Sequence, residues 1–355
     1  MTLERFGLDE RIERARLENG LEGFALGRIV AEHRERYVAA TEDGETDAEV
    51  TGSLRFSARS REDFPAVGDW VALAPCGPEF ALVQAILPRR STLFRQAVDQ
   101  RGERQIIAAN IDHAFLVQAL DRDFSANRLE RYLTLCHASG VSPIAVLTKT
   151  DLVDEARLGG VLDGIRQRLP AVTVVALSNR TRDGFEDLER LVEKGRTYCL
   201  LGSSGVGKST LLNNLSGRMA ARTGAISEST GKGRHVTTRR ELVVLENGAI
   251  LIDNPGMREV GIADAGEGLE AAFASIAELG RRCRFKDCTH VHEAGCAVQE
   301  ALEAGTLSRE SWENWRKMER EREHFESSSL ERRRKDRDFG RMLRNYQRDF
   351  GRDGF

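Results

Sequence analysis

The sequence predicts an α/β protein built from a small β-barrel, a parallel sheet covered by helices, and a helical C-terminal part. Three observations carry this prediction. Short strand-like runs separated by turn residues fill residues 24–88. Apolar runs then alternate with helical stretches over residues 105–262, and the chain after residue 266 is helical and interrupted by a group of cysteines.

The composition sets the limits on function. The chain has 355 residues, of which 40% are hydrophobic and 31% charged, and this leaves room for two or three domains with ample core. The formal net charge of −3 indicates that any contact with nucleic acid comes from a local patch. No run reaches the roughly 18 apolar residues that cross a bilayer, and the charged N-terminus does not resemble a secretory signal. We therefore expect a cytoplasmic protein without a membrane partner.

The N-terminal region predicts an arm followed by a barrel. Residues 1–20 carry a helical charge pattern and form either a helix or a loose arm. Five candidate strands follow, with turns at EDGE and CGPE; their sequences are GRIVAEH, RYVAAT, EVTGSLRFSA, DWVALAP and FALVQAIL. Five short strands fit a closed barrel of the OB-fold type, and an SH3-like barrel fits the pattern nearly as well.

The middle of the chain predicts a parallel sheet covered on both faces. Its candidate strands are IDHAFLVQAL, SPIAVLTKTD, AVTVVALS, RTYCLLGSS, RELVVLE and GAILIDNPG. Several of them are apolar without polar alternation, which is typical of strands that are buried on both sides.

A phosphate-binding loop follows one of these strands. The pattern G-x-x-x-x-G-K-[ST] stands between the apolar run YCLLG and a predicted helix, which is the context that the motif requires. Its glycines let successive N–H groups face phosphates at a helix N-terminus, Lys208 brings charge to the β- and γ-phosphates, and Ser209 is placed to bind Mg²⁺. The loop residues are Gly202, Ser203, Ser204, Gly205, Val206, Gly207, Lys208, Ser209 and Thr210.

The segment ILIDNPG predicts a second contact to the metal and the phosphates. Asp253 ends an apolar run and would hold Mg²⁺ through water, and the N–H of Gly256 would meet the γ-phosphate. Between the two motifs lies GKGRHVTTRRE, in which Thr237 or Thr238 would close over Mg²⁺. A surface loop with routine hydroxyls is the equal alternative for this stretch.

The segment LTKTDL predicts a guanine-reading site. Asp151 can accept hydrogen bonds from guanine N1–H and the 2-amino group, which adenine cannot donate, and Lys149 can pack across the ring. The segment comprises Thr148, Lys149, Thr150 and Asp151, and a second contact to the base is expected from Ala176, Leu177 and Ser178. Thr148 stands where an Asn usually ties this segment to the phosphate loop, so we expect weaker nucleotide affinity with selectivity retained.

The order of these motifs is a cyclic shift of the usual one, because the base-reading segment precedes the phosphate loop. Such a shift preserves the sheet if the original termini were neighbours. The segments that sense the γ-phosphate then stand immediately before the C-terminal part, so nucleotide state is connected to whatever follows residue 262.

Three cysteines and a histidine predict a structural zinc site. Cys283, Cys288, His290 and Cys296 lie within fourteen residues and form a Cys₃His set suited to tetrahedral zinc. His292 is a near alternative to His290. The other cysteines, Cys76, Cys136 and Cys199, are singletons in apolar runs and are predicted to be buried and inert.

Taken together, the permuted order and the segments NIDHAFLVQALDRDFSANRLERYL, GSSGVGKST, GRHVTTRRE, DNPGMRE and CRFKDCTHVHEAGCAV resemble the RsgA (YjeQ/YloQ) family of circularly permuted GTPases. The resemblance covers roughly residues 25–310. It implies an OB-fold β-barrel, a circularly permuted P-loop GTPase domain and an α-helical zinc-binding domain. It also implies a role in late maturation of the 30S ribosomal subunit, with hydrolysis stimulated by that subunit.

On this basis the domains are expected at 1–23 (arm), 24–100 (OB-fold), 101–264 (GTPase) and 265–355 (zinc-binding domain with a basic tail). The expected partners are the 30S subunit with its 16S rRNA, and GTP or GDP; a monomer is expected. The departures from the family pattern are Thr148 for Asn and Asn254 for Thr.

Hydrolysis is expected to be slow without a partner. Met257 occupies the place where many GTPases carry a water-orienting Gln, and His235 is the candidate to position the attacking water. A histidine that contacts solvent or RNA is the equal alternative. Lys208, Thr237 and Gly256 would complete the catalytic set.

The C-terminal tail is rich in basic residues. Residues 331–348 carry eight basic and three acidic side chains with interleaved Phe339 and Tyr346, and such a helix could lie along RNA phosphates. A solvated charged helix is the usual explanation of such a run, and only the resemblance to the family raises RNA binding above it. An RNA-binding zinc protein that uses its GTP site as a sensor is the alternative function. An ATP-dependent P-loop enzyme is a third candidate, which Asp151 disfavours.

Overall fold

The computed structural model of the protein describes residues 2–33, 36–77, 79–96, 104–121, 124–217, 240–253 and 266–324. Among these residues, no helix is both long and apolar enough to cross a membrane.

The N-terminal segment is ordered on the body of the protein. A 3₁₀ turn covers Leu3–Phe6 and helix α1 covers Glu10–Glu18. The Asp9 side chain caps α1 by accepting from the N–H groups of Arg11 and Ile12, so the helix begins where the sequence supplies an N-cap. Leu3 and Phe6 of the turn are buried, and Ile12 of α1 packs against the same core cluster, so the segment lies on the core and is not a loose arm.

Five strands close into the predicted barrel. The closing order is β1-β2-β3-β5-β4, with β4 paired back to β1, and β3 runs parallel to β5. This Greek-key closure is that of the OB-fold, so the OB-fold prediction is confirmed over the SH3-like one. The strands are β1 (Ala25–His33), β2 (Arg36–Thr41), β3 (Gly44–Val50), β4 (Trp70–Pro75) and β5 (Phe80–Ile86).

One predicted strand of the barrel is wrong over most of its length. The run EVTGSLRFSA enters β3 only at its first two residues, and helix α2 (Gly52–Ser57) follows. Thr51 caps this helix by accepting from the N–H of Leu54. The alternation of the apolar residues Leu54 and Phe56 is typical of a strand. In the helix, however, Leu54 packs on the barrel and Phe56 is 94% exposed.

A hairpin that the sequence did not predict joins the barrel to the central sheet. Strands β6 (Thr92–Gln96) and β7 (Arg104–Ala109) pair antiparallel as a separate two-stranded sheet. This hairpin straddles the boundary expected at residues 100–101.

The central domain is a mostly parallel sheet with helices, as predicted. Strands β10, β9, β8, β11 and β13 lie side by side and parallel in this order, and β12 pairs antiparallel with β13. The strands are β8 (His113–Ala119), β9 (Ser142–Thr148), β10 (Thr173–Ala176), β11 (Thr197–Leu201), β12 (Arg240–Val244) and β13 (Ile250–Asp253). The helices are α3 (Ala126–Ala138), α4 (Glu155–Arg168), α5 (Phe185–Glu189) and α6 (Lys208–Ser216).

The barrel and the central sheet are continuous. Strand β12 pairs antiparallel with β1, with Ala31 opposite Glu241, so that eleven strands form one sheet. One apolar cluster contains Phe6, Trp70 and Ile252, from the N-terminal turn, the barrel and the central sheet. The two domains therefore share a core as well as a hydrogen-bonded edge.

A buried arginine joins three parts of the chain at this junction. The Arg28 guanidinium donates to the carbonyl of Phe6, to the carbonyl of Gly68 at 3.2 Å and to the hydroxyl of Thr197 at 3.0 Å. Burial lowers the pKa of Arg28 to about 10, which leaves it charged at neutral pH. Its donors therefore connect the N-terminal turn, the barrel and β11 where they meet.

The C-terminal part is helical, as predicted. Helices α7 (Gly266–Ala272) and α8 (Ala274–Gly280) precede the cysteine segment, and α9 (Ala297–Glu303) and helical residues 309–324 follow it. This part has its own core, formed by residues such as Phe273, Ile276, Val298 and Met318.

A buried carboxylate attaches the C-terminal part to the central domain. Glu130 on α3 is fully buried and accepts from Arg168 (Nη2–Oε2 2.8 Å), the Ser311 hydroxyl at 2.8 Å and the Asn314 amide at 2.6 Å. The next residue of α3, Arg131, forms a bidentate ion pair with Glu321 at 2.7 and 2.9 Å. Arg168 Nε also donates to Oε1 of Glu130 at 3.1 Å, so each carboxylate oxygen has one partner from the central domain and one from the C-terminal part.

We expect Glu130→Ala to destabilise the protein by about 3–5 kcal/mol, because the buried guanidinium of Arg168 and two polar side chains of the last helix lose their acceptor. Denaturant unfolding monitored by tryptophan fluorescence measures this, since Trp312 and Trp315 lie in that helix.

Glu310→Ala is the matched control. Glu310 also pairs with Arg168, at 3.4 Å, but its side chain is 81% exposed, so its removal should cost less than about 1 kcal/mol. Equal effects of the two substitutions would contradict the role of Glu130.

Candidate functional site

The predicted nucleotide-binding segments meet at one edge of the central sheet. Strands β9, β10, β11 and β13 run parallel, and one predicted nucleotide-binding segment lies at the carboxyl end of each strand. The segment 148–151 follows β9, 176–178 ends β10, the phosphate loop follows β11 and Asp253 ends β13. In open α/β sheets this edge is where ligands bind.

The phosphate loop has the backbone conformation that its motif requires. Gly202 has φ 154°, and a Cβ there would lie 2.3 Å from the carbonyl oxygen of Val117. Gly207 has φ 96° and is the N-cap of α6, so the loop leads directly into the helix N-terminus. Ser209 and Thr210 lie in the first turn of α6, at the end where the helix attracts anions.

Lys208 and Asp253 face the same site. The Lys208 ammonium donates to the carbonyls of Gly202 at 2.7 Å and Ser203 at 2.6 Å, which places its charge over the loop. Burial raises the pKa of Asp253, and the Lys208 charge opposes this rise. A half-buried carboxylate beside a lysine and a phosphate loop suits the binding of a hydrated divalent cation.

The base-reading segments lie side by side because β9 and β10 are parallel neighbours, with Ala176 opposite Leu147. The Ser178 hydroxyl donates to Asp151 Oδ1 at 2.6 Å, and Arg180 lies 3.0 Å from Oδ2. The hydrogen bond from Ser178 lowers the pKa of Asp151, with Arg180 contributing. Asp151 is therefore an oriented, ionised acceptor, as the reading of two guanine donors requires.

Lys149 is also held in place by a residue that the sequence did not single out. Its backbone adopts a left-handed conformation, with φ 62°, and its ammonium lies 2.6 Å from the carboxylate of Asp121 at the end of β8. Asp121 stands directly after the apolar run of its strand, which was the available signal.

Thr148 connects the end of β9 to the phosphate loop. Its hydroxyl oxygen lies 2.6 Å from the carbonyl of Val206 in the phosphate loop and 3.3 Å from the carbonyl of Gln118. A residue that the sequence reasoning missed, Asn179, donates to the carbonyl of Gly207 at 3.2 Å. It directly follows the second base contact, Ser178, and its position was the only signal.

Several predicted residues lie outside the residues that the structure describes. These are His235, Thr237 and Thr238 in the segment after α6, Asn254, Gly256 and Met257 after β13, and the basic tail 331–348. Their roles stay predictions.

The cysteine segment brings its four candidate ligands together. Atoms of Cys283, Cys288, His290 and Cys296 lie within 4.8 Å of one another. The Sγ atoms of Cys283 and Cys296 are 3.8 Å apart, and each lies 3.5 Å from His290 Nδ1. Tetrahedral bonds of about 2.3 Å to sulfur and 2.0 Å to nitrogen give separations of about 3.8 and 3.5 Å, so the set fits zinc. His290, and not the exposed His292, belongs to the cluster.

Neighbouring side chains hold the histidine of this cluster. The Glu293 carboxylate accepts from the N–H groups of Thr289, Val291 and His292 at 2.8, 2.9 and 3.0 Å. The ring of Trp315 lies 5.7 Å from that of His290 and covers it. All four candidate ligands are protein side chains, which is the ligand set expected of a structural zinc site.

The three single cysteines differ from one another. Cys136 and Cys199 are buried, as predicted, and burial raises the pKa of Cys199 to about 12, which makes its thiol inert. Cys76 is exposed, so the prediction that it is buried was wrong. It lies directly after β4, where its backbone pairs with Phe80 and its side chain points out of the barrel.

Comparison with known protein families identifies the central domain. A family model described as RsgA GTPase matches residues 86–263. A model described as ABC transporter matches residues 185–342, a range that includes the phosphate loop, which is a motif common to many nucleotide hydrolases.

Comparisons with individual proteins extend the similarity to nearly the whole chain. The small ribosomal subunit biogenesis GTPase RsgA 2 of Lactiplantibacillus plantarum is 43% identical over 335 residues, covering 92% of this chain and 94% of that protein. RsgA of Opitutus terrae is 42% identical, covering 90% of each. The crystal structure of YjeQ from Thermotoga maritima is similar with a TM-score of 0.61 at 27% identity, covering 83% of this chain and 96% of that one. YloQ, described as a circularly permuted GTPase, has a TM-score of 0.60 at 25% identity, covering 82% and 92%.

We expect Asp151→Asn to lower the affinity for GTP by about two orders of magnitude or more, because two hydrogen bonds to a charged acceptor are lost. Affinity for xanthosine triphosphate should rise, since the new amide can donate to the keto oxygen of xanthine. Titrations with fluorescent GTP and xanthosine triphosphate measure both effects.

Asp154→Asn is the matched control, because Asp154 is exposed and caps α4 in the same segment. It should leave the preference for GTP unchanged. Equal GTP affinity in the wild type and Asp151→Asn would remove Asp151 from the base site.

If the cluster holds a structural zinc, we expect Cys288→Ala to abolish stoichiometric zinc and to destabilise the C-terminal part, while GTP affinity stays within about twofold of the wild-type value. Elemental analysis and limited proteolysis measure the first two effects, and Cys76→Ala, at an exposed cysteine outside the cluster, is the control. A wild-type protein without zinc would contradict this prediction.

Proposed function

Because the chain belongs to the RsgA GTPase family, we propose that it is a GTP hydrolase that acts in late maturation of the small ribosomal subunit. The family model and the relatives that are about 42% identical over 90% of the chain support this role. The proposal includes slow turnover by the protein alone and stimulation by the 30S subunit.

One feature of this chain supports GTP, and not ATP, as the substrate. The carboxylate of Asp151, oriented by Ser178, stands at the same sheet edge as the phosphate loop. The two segments are joined directly by the hydrogen bond from Thr148 to Val206. An ionised acceptor held there discriminates against adenine, which supports GTP over ATP as the substrate.

We assign nucleotide contacts to the predicted residues on these elements. The loop N–H groups and Lys208 would bind the phosphates of GTP or GDP, and Thr148 to Asp151 with Ala176 to Ser178 would bind the base. Ser209 and Asp253, with Thr237, would hold Mg²⁺, which when bound neutralises charge on the β- and γ-phosphates. The burial of Asp253 beside Lys208 supports its share of this role.

The slow step is assigned to water positioning. Met257 cannot orient water, so the attacking water needs another group, and we propose His235 in the segment before β12. Gly256 would meet the γ-phosphate through its N–H. Lys208 would stabilise charge that develops on the phosphates in the transition state.

We propose that the barrel and the basic tail bind the 16S rRNA of the 30S subunit. On the barrel, Phe56 is 94% exposed on α2, and Arg55, Arg59 and Arg61 stand close to it in sequence. An exposed aromatic ring among arginines suits base stacking and phosphate contacts. The zinc cluster would keep the C-terminal part folded on α3, with one zinc ion in a structural role.

The remaining proposals concern the organisation and location of the protein. We propose the domain division 1–23, 24–100, 101–264 and 265–355, a cytoplasmic location and a monomeric state. The continuous core between the barrel and the central sheet supports a single body for the first three of these segments.

GTP turnover with and without purified 30S subunits tests the function. We expect the protein alone to bind GTP and hydrolyse it slowly, and the subunit to raise the rate by an order of magnitude or more, as activating partners of GTPases do. Ser209→Ala should lower the stimulated rate more than GTP binding. Tight GTP binding without turnover in either condition would favour the sensor function instead.

A second comparison tests the assignment of His235. His235→Ala should still bind the 30S subunit but should lose the stimulation. If this variant is stimulated as strongly as the wild type, water positioning belongs to another group.

A further inference from the structure

We infer that Asn179 is a positioning residue of the nucleotide site, which together with Thr148 aims N–H groups of the phosphate loop at the phosphates. The two side chains hold consecutive carbonyls of that loop, those of Val206 and Gly207. The inference rests on the proposed function, because it concerns the same site.

Thr148 can make only one such connection. A hydroxyl carries a single hydrogen, and the Thr148 hydroxyl has two carbonyl acceptors within reach, Val206 at 2.6 Å and Gln118 at 3.3 Å. The shorter distance assigns the hydrogen to Val206. An Asn at this position would bring two amide hydrogens, so one connection between the base-reading segment and the loop is missing here.

Asn179 supplies a connection of the same kind from the neighbouring strand. Its Nδ2 lies 3.2 Å from the carbonyl oxygen of Gly207. The approach is close, because a Cβ at Gly207 would lie 2.7 Å from this nitrogen. The backbone of Asn179 is fixed as well, since the Asn214 amide on α6 donates to its carbonyl at 2.9 Å. The segment is thus fastened to α6 at two points.

Holding these carbonyls orients the amides that face the phosphates. In a planar trans peptide the C=O and N–H groups point in opposite directions. Fixing the carbonyl of Val206 therefore aims the N–H of Gly207, and fixing that of Gly207 aims the N–H of Lys208. The Gly207 carbonyl oxygen also accepts from the N–H of Leu211 at 2.8 Å, so Asn179 donates to the second lone pair of that oxygen. Both amides belong to the part of the loop that cradles the α- and β-phosphates.

The arrangement connects recognition of the base with binding of the phosphates. Ser178 orients the base-reading carboxylate of Asp151, and the next residue, Asn179, holds the phosphate loop. Loss of Asn179 should therefore weaken contacts to the phosphates while the base contacts remain.

The test is the affinity of Asn179→Ala for three guanine nucleotides. We expect binding of GTP and GDP to weaken about tenfold, because a preorganised pair of phosphate donors is loosened. Binding of GMP, which lacks the β-phosphate, should change less than twofold. Calorimetry serves for GTP and GDP, and ligand-observed NMR serves for GMP.

A rescue and a matched control complete the experiment. Thr148→Asn in the Asn179→Ala background should restore GDP affinity to within about threefold of the wild-type value, because the new amide can supply the missing connection. Asn247→Ala is the control: the Asn247 amide also donates to a backbone carbonyl, that of Val192 at 2.9 Å, but away from the loop. It should leave all three affinities unchanged.

GDP affinity of Asn179→Ala within twofold of the wild-type value would overturn the inference. An equal loss for GMP and GDP would also overturn it, because the base site would then be the part affected. So would a double variant that has the same melting temperature as Asn179→Ala but does not regain GDP affinity. A wild-type protein that binds no guanine nucleotide would overturn the proposed function, and this inference with it.

Discussion

The common direction of five strands is the constraint on which the nucleotide site depends. Strands β8, β9, β10, β11 and β13 are parallel neighbours, so everything that follows them emerges at one edge. The order of the strands along the chain has no influence on this edge. A chain that is cyclically shifted can therefore assemble the same site from segments in a different order, provided that each segment still follows its own strand.

The shift does change what the site is attached to. Segment 218–239, which contains the predicted switch residues, ends at β12, and β12 pairs with β1 of the barrel. Segment 254–265, which follows Asp253, ends at α7, which packs against α3, where Glu130 and Arg131 also receive the last helix. Each segment predicted to contact the γ-phosphate is thus continuous with an element that touches another domain. If these segments contact the γ-phosphate as predicted, one connects it along the chain to β12, which pairs with the barrel, and the other to α7 of the zinc-binding part.

Strands were predicted correctly where burial determines the pattern of apolar residues. The prediction was wrong where a local hydrogen bond determines the secondary structure. The apolar runs of the central sheet are confirmed because strands covered on both faces admit few polar residues. The run EVTGSLRFSA fails because one hydroxyl, that of Thr51, caps a short helix and outweighs an apparent alternation. Cys76 is exposed because it is the first residue of the turn after β4, which ends at Pro75. The zinc ligands were predictable from spacing, whereas the contacts of Asp121 and Asn179 were not, because their partners Lys149 and Gly207 lie in segments that are distant in the sequence.

Thr148 shows why a motif position is a weaker guide than the contact it serves. The sequence departs from the usual Asn, and from that departure alone a loss of nucleotide affinity is expected. The contact, however, is a hydrogen bond to a loop carbonyl, and any donor at the same place can make it. Because β9 and β10 are in register, the residue after Ser178 stands beside the loop and can share this task. The two carbonyls of Val206 and Gly207 are held from two neighbouring strands, so the preorganisation of the loop belongs to the sheet edge as a whole and not to one side chain.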